Sequence, residues 1–369
     1  MAMVKRDWEK RNFTVGPVMS SEDTLAIGGR QVPYFRTAEF SAIMRENEQR
    51  IKRLMKSPED ARAVFLTGSG TAAMEAAVIN CLTGDDRAIV VNGGSFGARF
   101  AEICRIHRVP FDEIRLAPGS PLTAEELAPL EGKGHTAFLI NLGETSTGVL
   151  YDLPLVSAFC RRNGLFLIVD VISAFLADEF DMAHSGADVA ITGSQKALAL
   201  APGLSILLLS ARAQERIASH PASCLYLNLA DYLKNMERGQ TPFTPAVGIL
   251  LELHDRLRCL EEAGGADAER ERIASLARDF RSKIHGLPFA LFAQTPSNAV
   301  TALRVTGRTP ATTIFETLKD AYDIFVCPNG GELKETVFRV GHIGCLTEDD
   351  NDVLVAAMHD MMKRGLLQP

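Results

Sequence analysis

Two apolar runs in this chain end abruptly in chemistry. Leu165-Phe-Leu-Ile-Val-Asp170 closes on a carboxylate, and Asp188-Val-Ala-Ile-Thr-Gly-Ser-Gln-Lys196 runs into an amine. A strand buried on both faces of a parallel sheet reads this way, and open α/β sheets bind ligands beyond the carboxyl ends of such strands. The pattern predicts Asp170 and Lys196 at one rim of one sheet. Each alone has an ordinary reading: a lysine after a strand is commonly a solvated loop charge, and an aspartate there commonly caps a helix. Together they suit pyridoxal 5′-phosphate, whose aldehyde is bound covalently by a lysine while an acid pairs with the pyridinium nitrogen.

The surrounding segments alternate as that reading requires. Apolar runs at 63–67, 87–92, 136–141, 165–170, 188–193 and 205–210 are separated by stretches with helical patterning. Such alternation predicts βαβ units and a mostly parallel sheet, the last run closing the series. The first run leads into Gly68-Ser-Gly-Thr71 and then an alanine-rich helix former. A glycine turn at a helix N-terminus presents unpaired N–H groups that suit a phosphate. A plain βα turn with a Ser or Thr cap would look the same. Phe96, after the second run, is placed to stack on a flat ring or simply to pack. An amphipathic helix is expected from Glu39, after an irregular segment in which Arg36 reads as a surface charge. After Arg212 the composition shifts. Thr241-Pro-Phe-Thr-Pro245 breaks the chain, and one long helical stretch is expected from Val247 towards Ile284, kinked near Gly264-Gly265. Beyond it, strands near 299–305 and 336–340 and helices near 313–322 and 348–364 predict a small α+β unit. The expected division is an N-terminal arm (1–22), a large cofactor-binding domain (23–245), and a connecting helix with a small C-terminal domain (246–369).

Composition removes several function classes. The chain has 369 residues and a formal net charge of -7, with no long basic block to suit nucleic acid. Its seven cysteines are odd in number and never spaced C-x-x-C, which argues against a disulfide scaffold or zinc site and for a reducing cytoplasm. Residues 1–11 carry charges of both signs and do not read as a signal peptide. No apolar run is long enough to span a membrane.

Several stretches, in order along nearly the whole chain, resemble class V aminotransferases of the fold-type I pyridoxal-phosphate enzymes. They are Val15-Gly-Pro17, Phe35-Arg-Thr-Ala-Glu-Phe40, Gly68-Ser-Gly-Thr71, 92–99, Gly143-Glu-Thr-Ser-Thr-Gly-Val149, Val169-Asp-Val-Ile-Ser173, Gly193-Ser-Gln-Lys-Ala-Leu198, Ala201-Pro-Gly203, Thr244-Pro-Ala-Val247 and Phe338-Arg-Val-Gly-His-Ile-Gly344. The resemblance implies a fold-type I α/β architecture and amino transfer in two half-reactions. It makes Lys196 the covalent anchor of the cofactor and Asp170 the partner of its ring nitrogen. It places Thr145 on the phenolic oxygen and Phe96 on the ring face, with Ile172 beside the ring. Ser69, Gly70, Thr71 and Gln195 would hold the phosphate. Thr244 would reach it from a partner subunit, which implies a homodimer with shared sites. Gly16 and Arg339 would line the substrate site, Arg339 holding the substrate carboxylate. Gly-Ser-Gln-Lys-Ala-Leu followed by Ala-Pro-Gly looks most like alanine–glyoxylate and serine–glyoxylate or serine–pyruvate aminotransferases. Gly94 to Arg99 and Phe338 to Gly344 also resemble 2-aminoethylphosphonate–pyruvate aminotransferases. Two positions depart from the pattern: Asn141-Leu replaces a usual His, and Phe96 replaces a larger or more polar aromatic. A specialised biosynthetic transaminase, a pyridoxal-phosphate lyase and a cysteine desulfurase share the fold; desulfurases carry His where this chain has Gln195. The expected acceptor is glyoxylate or pyruvate.

Overall fold

The computed structural model describes residues 6–369; residues 1–5, the start of the expected arm, lie outside them. A seven-stranded sheet organises the chain: β1 (Arg62–Thr67), β2 (Ala88–Asn92), β3 (Phe111–Arg115), β4 (Ala137–Asn141), β5 (Phe166–Asp170), β6 (Val189–Gly193) and β7 (Leu204–Leu209). Its spatial order is β1-β7-β6-β5-β4-β2-β3. All neighbours run parallel except β7, which pairs antiparallel with both β1 and β6. The last apolar run therefore does not sit at the end of the series. It inserts between the first strand and the rest.

The strands are apolar on both sides because both faces are covered. Ala63, Phe65, Ile89, Val91, Phe138, Ile140, Leu167 and Val169 enter one core. Their neighbours Val64, Leu66, Ala88, Val90, Ala137, Leu139, Phe166 and Ile168 enter a second core on the other face. Each buried Val, Leu or Ile contributes about 1.5–3 kcal/mol over the exposed side chain, so the two-faced burial fixes the register strongly.

Two helices start at the carboxyl rim, and a third packs against the sheet. Helix α1 (Ala38–Leu54) is the amphipathic helix expected from Glu39, and its N-cap Thr37 accepts from the Phe40 N–H. Helix α2 (Gly70–Cys81) follows β1, and α3 (Ser95–Ile106) follows β2. Helix α3 can lie close against β2 only because residue 97 is glycine. A Cβ there would stand 2.4 Å from the Val91 carbonyl oxygen and 2.7 Å from Asn92 Cα. Those are backbone atoms and cannot step aside. Gly97→Ala is expected to cost about 2–3 kcal/mol through overpacking, outweighing the roughly 1 kcal/mol that alanine gains as a helix former. Urea midpoints of the two proteins measure this.

The single helical stretch expected from Val247 to Ile284 is two helices, α4 (Val247–Glu262) and α5 (Gly265–Lys283). Gly264 and Gly265 between them hold φ of +106° and +77°, a conformation side chains resist, so the break is complete rather than a kink. Helix α4 packs Leu250, Leu253 and Leu257 into the core of the large sheet beside Met44 and Ile51 of α1. A second, antiparallel sheet follows, in the order β8 (Phe289–Leu291), β9 (Val300–Val305), β11 (Val337–Gly341), β10 (Cys327–Pro328). With α5, α6 (Ala311–Ala321) and α7 (Glu348–Lys363) it encloses a separate core around Phe280, Ile314, Phe338 and Met358. The short strands β3, β8 and β10 escaped the sequence reading, as did the pairing of Arg11–Asn12 with Ile324–Phe325. They are edge or two- to three-residue elements, too short or too polar for a local period to mark them, and Arg11–Asn12 finds its partner 313 residues away. Among the described residues, no helix is long and apolar enough to cross a membrane.

Candidate active site

Asp170 is the last residue of β5 and pairs across the sheet with Asn141 on one side and Ile191 on the other. Lys196 lies three residues past the end of β6, in the turn that carries the chain into β7. Parallel pairing of β5 with β6 thus brings the acid and the amine to one rim, as the two apolar runs predicted. A cleft opens there. Ser69, Gly70, Thr71, Phe96, Thr145, Asp170, Ile172, Gln195 and Lys196, all expected from the sequence, line it together.

The electrostatics of the pair follow from burial. Asp170 is 5% exposed and Lys196 is 8% exposed. Burial pushes the Asp170 carboxyl up to about 7, against the Ile172 N–H that donates to Oδ1 at 2.7 Å and the nearby Lys196 charge. Burial likewise brings the Lys196 amine down to about 8, with Arg339 and Arg99 pushing the same way and Cys327 and Asp170 opposing. An amine in this range is available as a nucleophile and base near neutral pH. Lys196 Nζ donates to the Val15 carbonyl oxygen. That carbonyl arrives through the turn at Gly16, whose φ is +120°. A Cβ on Gly16 would stand 2.8 Å from Lys196 Cδ and from the Gln195 carbonyl oxygen, so only glycine lets this turn lie against the lysine stem.

At the other end of the cleft, Ser69 is the N-cap of α2, yet its hydroxyl makes no cap bond. The Gln195 Oε1 is buried with no hydrogen-bond partner. Arg99 adds a cation: its guanidinium donates to Thr71 Oγ1 at 3.1 Å and lies 4.8 Å from the centre of the Phe96 ring. Unspent N–H groups, a free hydroxyl and a cation at a helix N-terminus are donors that suit a phosphate. Such donors, flat-ring neighbour, buried acid and softened amine in one cleft fit pyridoxal phosphate by the chemistry of the donor set.

Glu144 organises the loop above. It is fully buried and accepts from the N–H groups of Phe96 at 3.2 Å, Gly97 at 3.1 Å and Ser146 at 3.2 Å, from Asn141 Nδ2 at 3.0 Å, and from the Ser146 hydroxyl. A carboxylate there caps α3, complements the positive end of the helix and aims Phe96 at the cleft. Gly94 has no room for a Cβ, which would stand 2.3 Å from Ser146 Oγ. Asn141, which departs from the family pattern, thus supports this loop through Glu144.

Arg339, on β11, is not among the residues that line the cleft; it approaches Thr145 at the cleft's edge from the small sheet. It donates to the Thr145 carbonyl oxygen at 3.1 Å and to the Pro328 carbonyl oxygen, and its Nε is buried without a partner. Thr244 is not brought to this cleft. It is exposed on the 241–245 segment, which Arg36 straps through the carbonyls of Thr241 at 3.1 Å and Pro242 at 3.2 Å. Arg36, read as a surface charge, is therefore a brace. Arg99, Glu144 and Ser173 were not singled out from the sequence. Arg99 carried one signal: it falls one helical turn after Phe96 on α3.

Comparison with known proteins agrees with this geometry. The family model described as Aminotransferase class-V matches residues 21–327. The chain is 32% identical to a protein of Synechococcus sp. (strain PCC 6716) named as the small subunit of a soluble hydrogenase, over 92% of this chain and 89% of that one. It is 30% identical to the 2-aminoethylphosphonate–pyruvate transaminase of Pseudomonas aeruginosa, over 88% and 89% of the two chains. An aspartate aminotransferase structure from Thermus thermophilus superposes with a TM-score of 0.88 at 26% identity, covering 96% of this chain and 99% of that one. A buried lysine–aspartate pair on the rim of a fold-type I sheet, joined to a match over most of the sequence, makes this chain a member of the class V aminotransferase family and a transaminase.

Proposed function

We propose that the chain transfers the amino group of a small amino acid, of the alanine or serine type, to glyoxylate or pyruvate, with pyridoxal phosphate held in the cleft between β5 and α2. The observation that carries this reading is the shared burial of Lys196 and Asp170 beside the unsatisfied Arg339 Nε. When bound, pyridoxal phosphate supplies an electron sink for the carbon that carries the amino group. Lys196 would anchor it, and its Nζ would be the base that takes the donor's α-proton. An amine brought down to about 8 suits that task. Asp170 keeps a proton on the ring nitrogen. Ser69, the α2 N-terminus, Gln195 and Arg99 hold the phosphate, and Arg339 holds the substrate carboxylate with its planar fork.

The site is read as shared by two subunits. Thr244 is exposed, and apolar side chains cluster around its segment. Val32 is 48% exposed and Tyr34 69%, and Tyr226, stacked on Phe243 with ring centres 5.2 Å apart, is 43% exposed. A patch of this kind marks an interface, and a second copy would bring Thr244 to the phosphate of its neighbour. A soluble, cytoplasmic homodimer with the domain division at residue 246 is the arrangement this reading takes.

The test is a panel of L-alanine, L-serine, L-aspartate and 2-aminoethylphosphonate with glyoxylate, pyruvate or 2-oxoglutarate, products read by mass spectrometry. Alanine or serine bleaching the near-visible band of the reconstituted protein, with glyoxylate or pyruvate restoring it, is the expected result. Turnover with 2-oxoglutarate alone would contradict the acceptor. Replacing Arg339 by glutamine is expected to raise the donor KM about 10- to 100-fold, the loss of charged hydrogen bonds, while the band stays.

A further inference from the structure

The chain leaves β5 at Asp170 and, eight residues on, buries a second carboxylate that touches neither cofactor nor substrate positions. Asp178 is 4% exposed. Its Oδ2 accepts from Ser297 Oγ at 2.5 Å and its Oδ1 from the Asn298 N–H at 2.8 Å. Residues 295–298 lead directly into β9, and they are stitched to the cofactor loop as well. The Ser297 N–H donates to the Gly148 carbonyl at 2.9 Å, and the Leu150 N–H donates to the Thr295 carbonyl at 2.8 Å. Strand β9 then sets Ala302 opposite Arg339. From behind, Arg281 of α5 donates to Thr301 Oγ1 at 2.9 Å and to the Ser297 carbonyl, and Thr301 Oγ1 meets His342 Nε2 at 2.7 Å. His342 is three residues past Arg339.

We propose that Asp178 is a positioning residue for the substrate-carboxylate arginine: it fixes the 295–298 corner of the small sheet to the β5 crossover, and so sets how far Arg339 stands from Lys196. The inference rests on Arg339 holding the substrate carboxylate. A carboxylate suits the job because both its oxygens accept. An asparagine of the same shape can keep the Asn298 N–H on its oxygen, but it must reverse the other bond, its NH2 donating to a Ser297 hydroxyl that already accepts from the Ala299 N–H at 3.0 Å. A group this deep is held or lost as a unit, because a buried partner left unpaired is costly.

Asp178→Asn, with cofactor bound, is the direct test. The KM for the amino donor and the Kd of a non-reacting carboxylate such as propionate, by calorimetry, are both expected to rise about tenfold. The kcat, the near-visible band and the cofactor affinity stay within about threefold. In an Arg339→Lys background the same substitution is expected to add nothing, since residues acting as a unit are not additive. Unchanged KM and propionate affinity would overturn the proposal, and so would loss of the band, which would assign Asp178 to the cofactor site. If Asp178→Asn fails to fold, Ser297→Ala removes one of the two bonds and carries the same test: a KM rise of about threefold or more is expected, and no rise overturns it. Failure of the underlying reading looks different: Arg339→Gln itself would then leave KM and propionate affinity as they are.

Discussion

Lys196→Ala is expected to lower kcat by at least about 10⁴-fold, because one side chain supplies both the covalent anchor and the proton carrier. The variant should also lack the near-visible band after incubation with pyridoxal phosphate. Stopped-flow absorbance and single-turnover assays measure the two effects separately. The other cations near the amine are the guanidinium groups of Arg339 and Arg99, which are donors with no acceptor lone pair for a proton. Turnover within tenfold of the parent would remove Lys196 from the chemistry altogether. The cofactor-free variant should fold well, since alanine relieves the cost of burying an amine that is 8% exposed.

Asp170→Asn should cut kcat by about 10²- to 10³-fold and, in the cofactor-free protein, raise stability. The first effect is the loss of a buried charge partner, worth about 3–5 kcal/mol where the other charge is left behind. The second follows from linkage. Burial raises the folded Asp170 carboxyl from 3.8 to about 7, so between those values the folded chain holds a proton the unfolded chain has released. Its stabilising contribution is complete below about pH 4 and is lost as the pH rises through 7. Asparagine has no such loss. Urea midpoints of the two cofactor-free proteins should coincide near pH 4 and separate by up to about 4 kcal/mol in favour of the variant near pH 7.5, a shift that already includes the attraction of Lys196. A variant less stable at the higher pH would mean that Asp170 serves the fold rather than the cofactor. Activity falling while stability rises is the signature of a site whose strain is released by its ligand.

Much of this was readable before any coordinates. The buried strands announce themselves because both faces are apolar and polar residues begin where the sheet ends. That is why Asp170, Lys196, Ser69 and Thr71 could be placed on one rim. Arg339 was named from resemblance alone; no period or spacing leads to it. What stayed hidden shares a cause. Glu144, Arg36 and Asp178 act through partners 47, 205 and 119 residues away, and a carboxylate bonded to a distant N–H leaves no local mark. The place of β7 was hidden for the same reason. Its composition says strand, but only pairing tells that it runs backwards between β1 and β6.

That placement has a consequence during synthesis. Strand β1 has a single neighbour in the sheet, β7, and Thr67 meets its partner Leu204 only after the whole intervening segment exists. At about 5–20 residues per second, a ribosome exposes Ala63-Val-Phe-Leu-Thr67 unpaired for roughly ten seconds. Nascent chains stopped before Leu204 should therefore recruit holdase chaperones and aggregate, whereas chains extended past Leu209 should turn protease-resistant in one cooperative step.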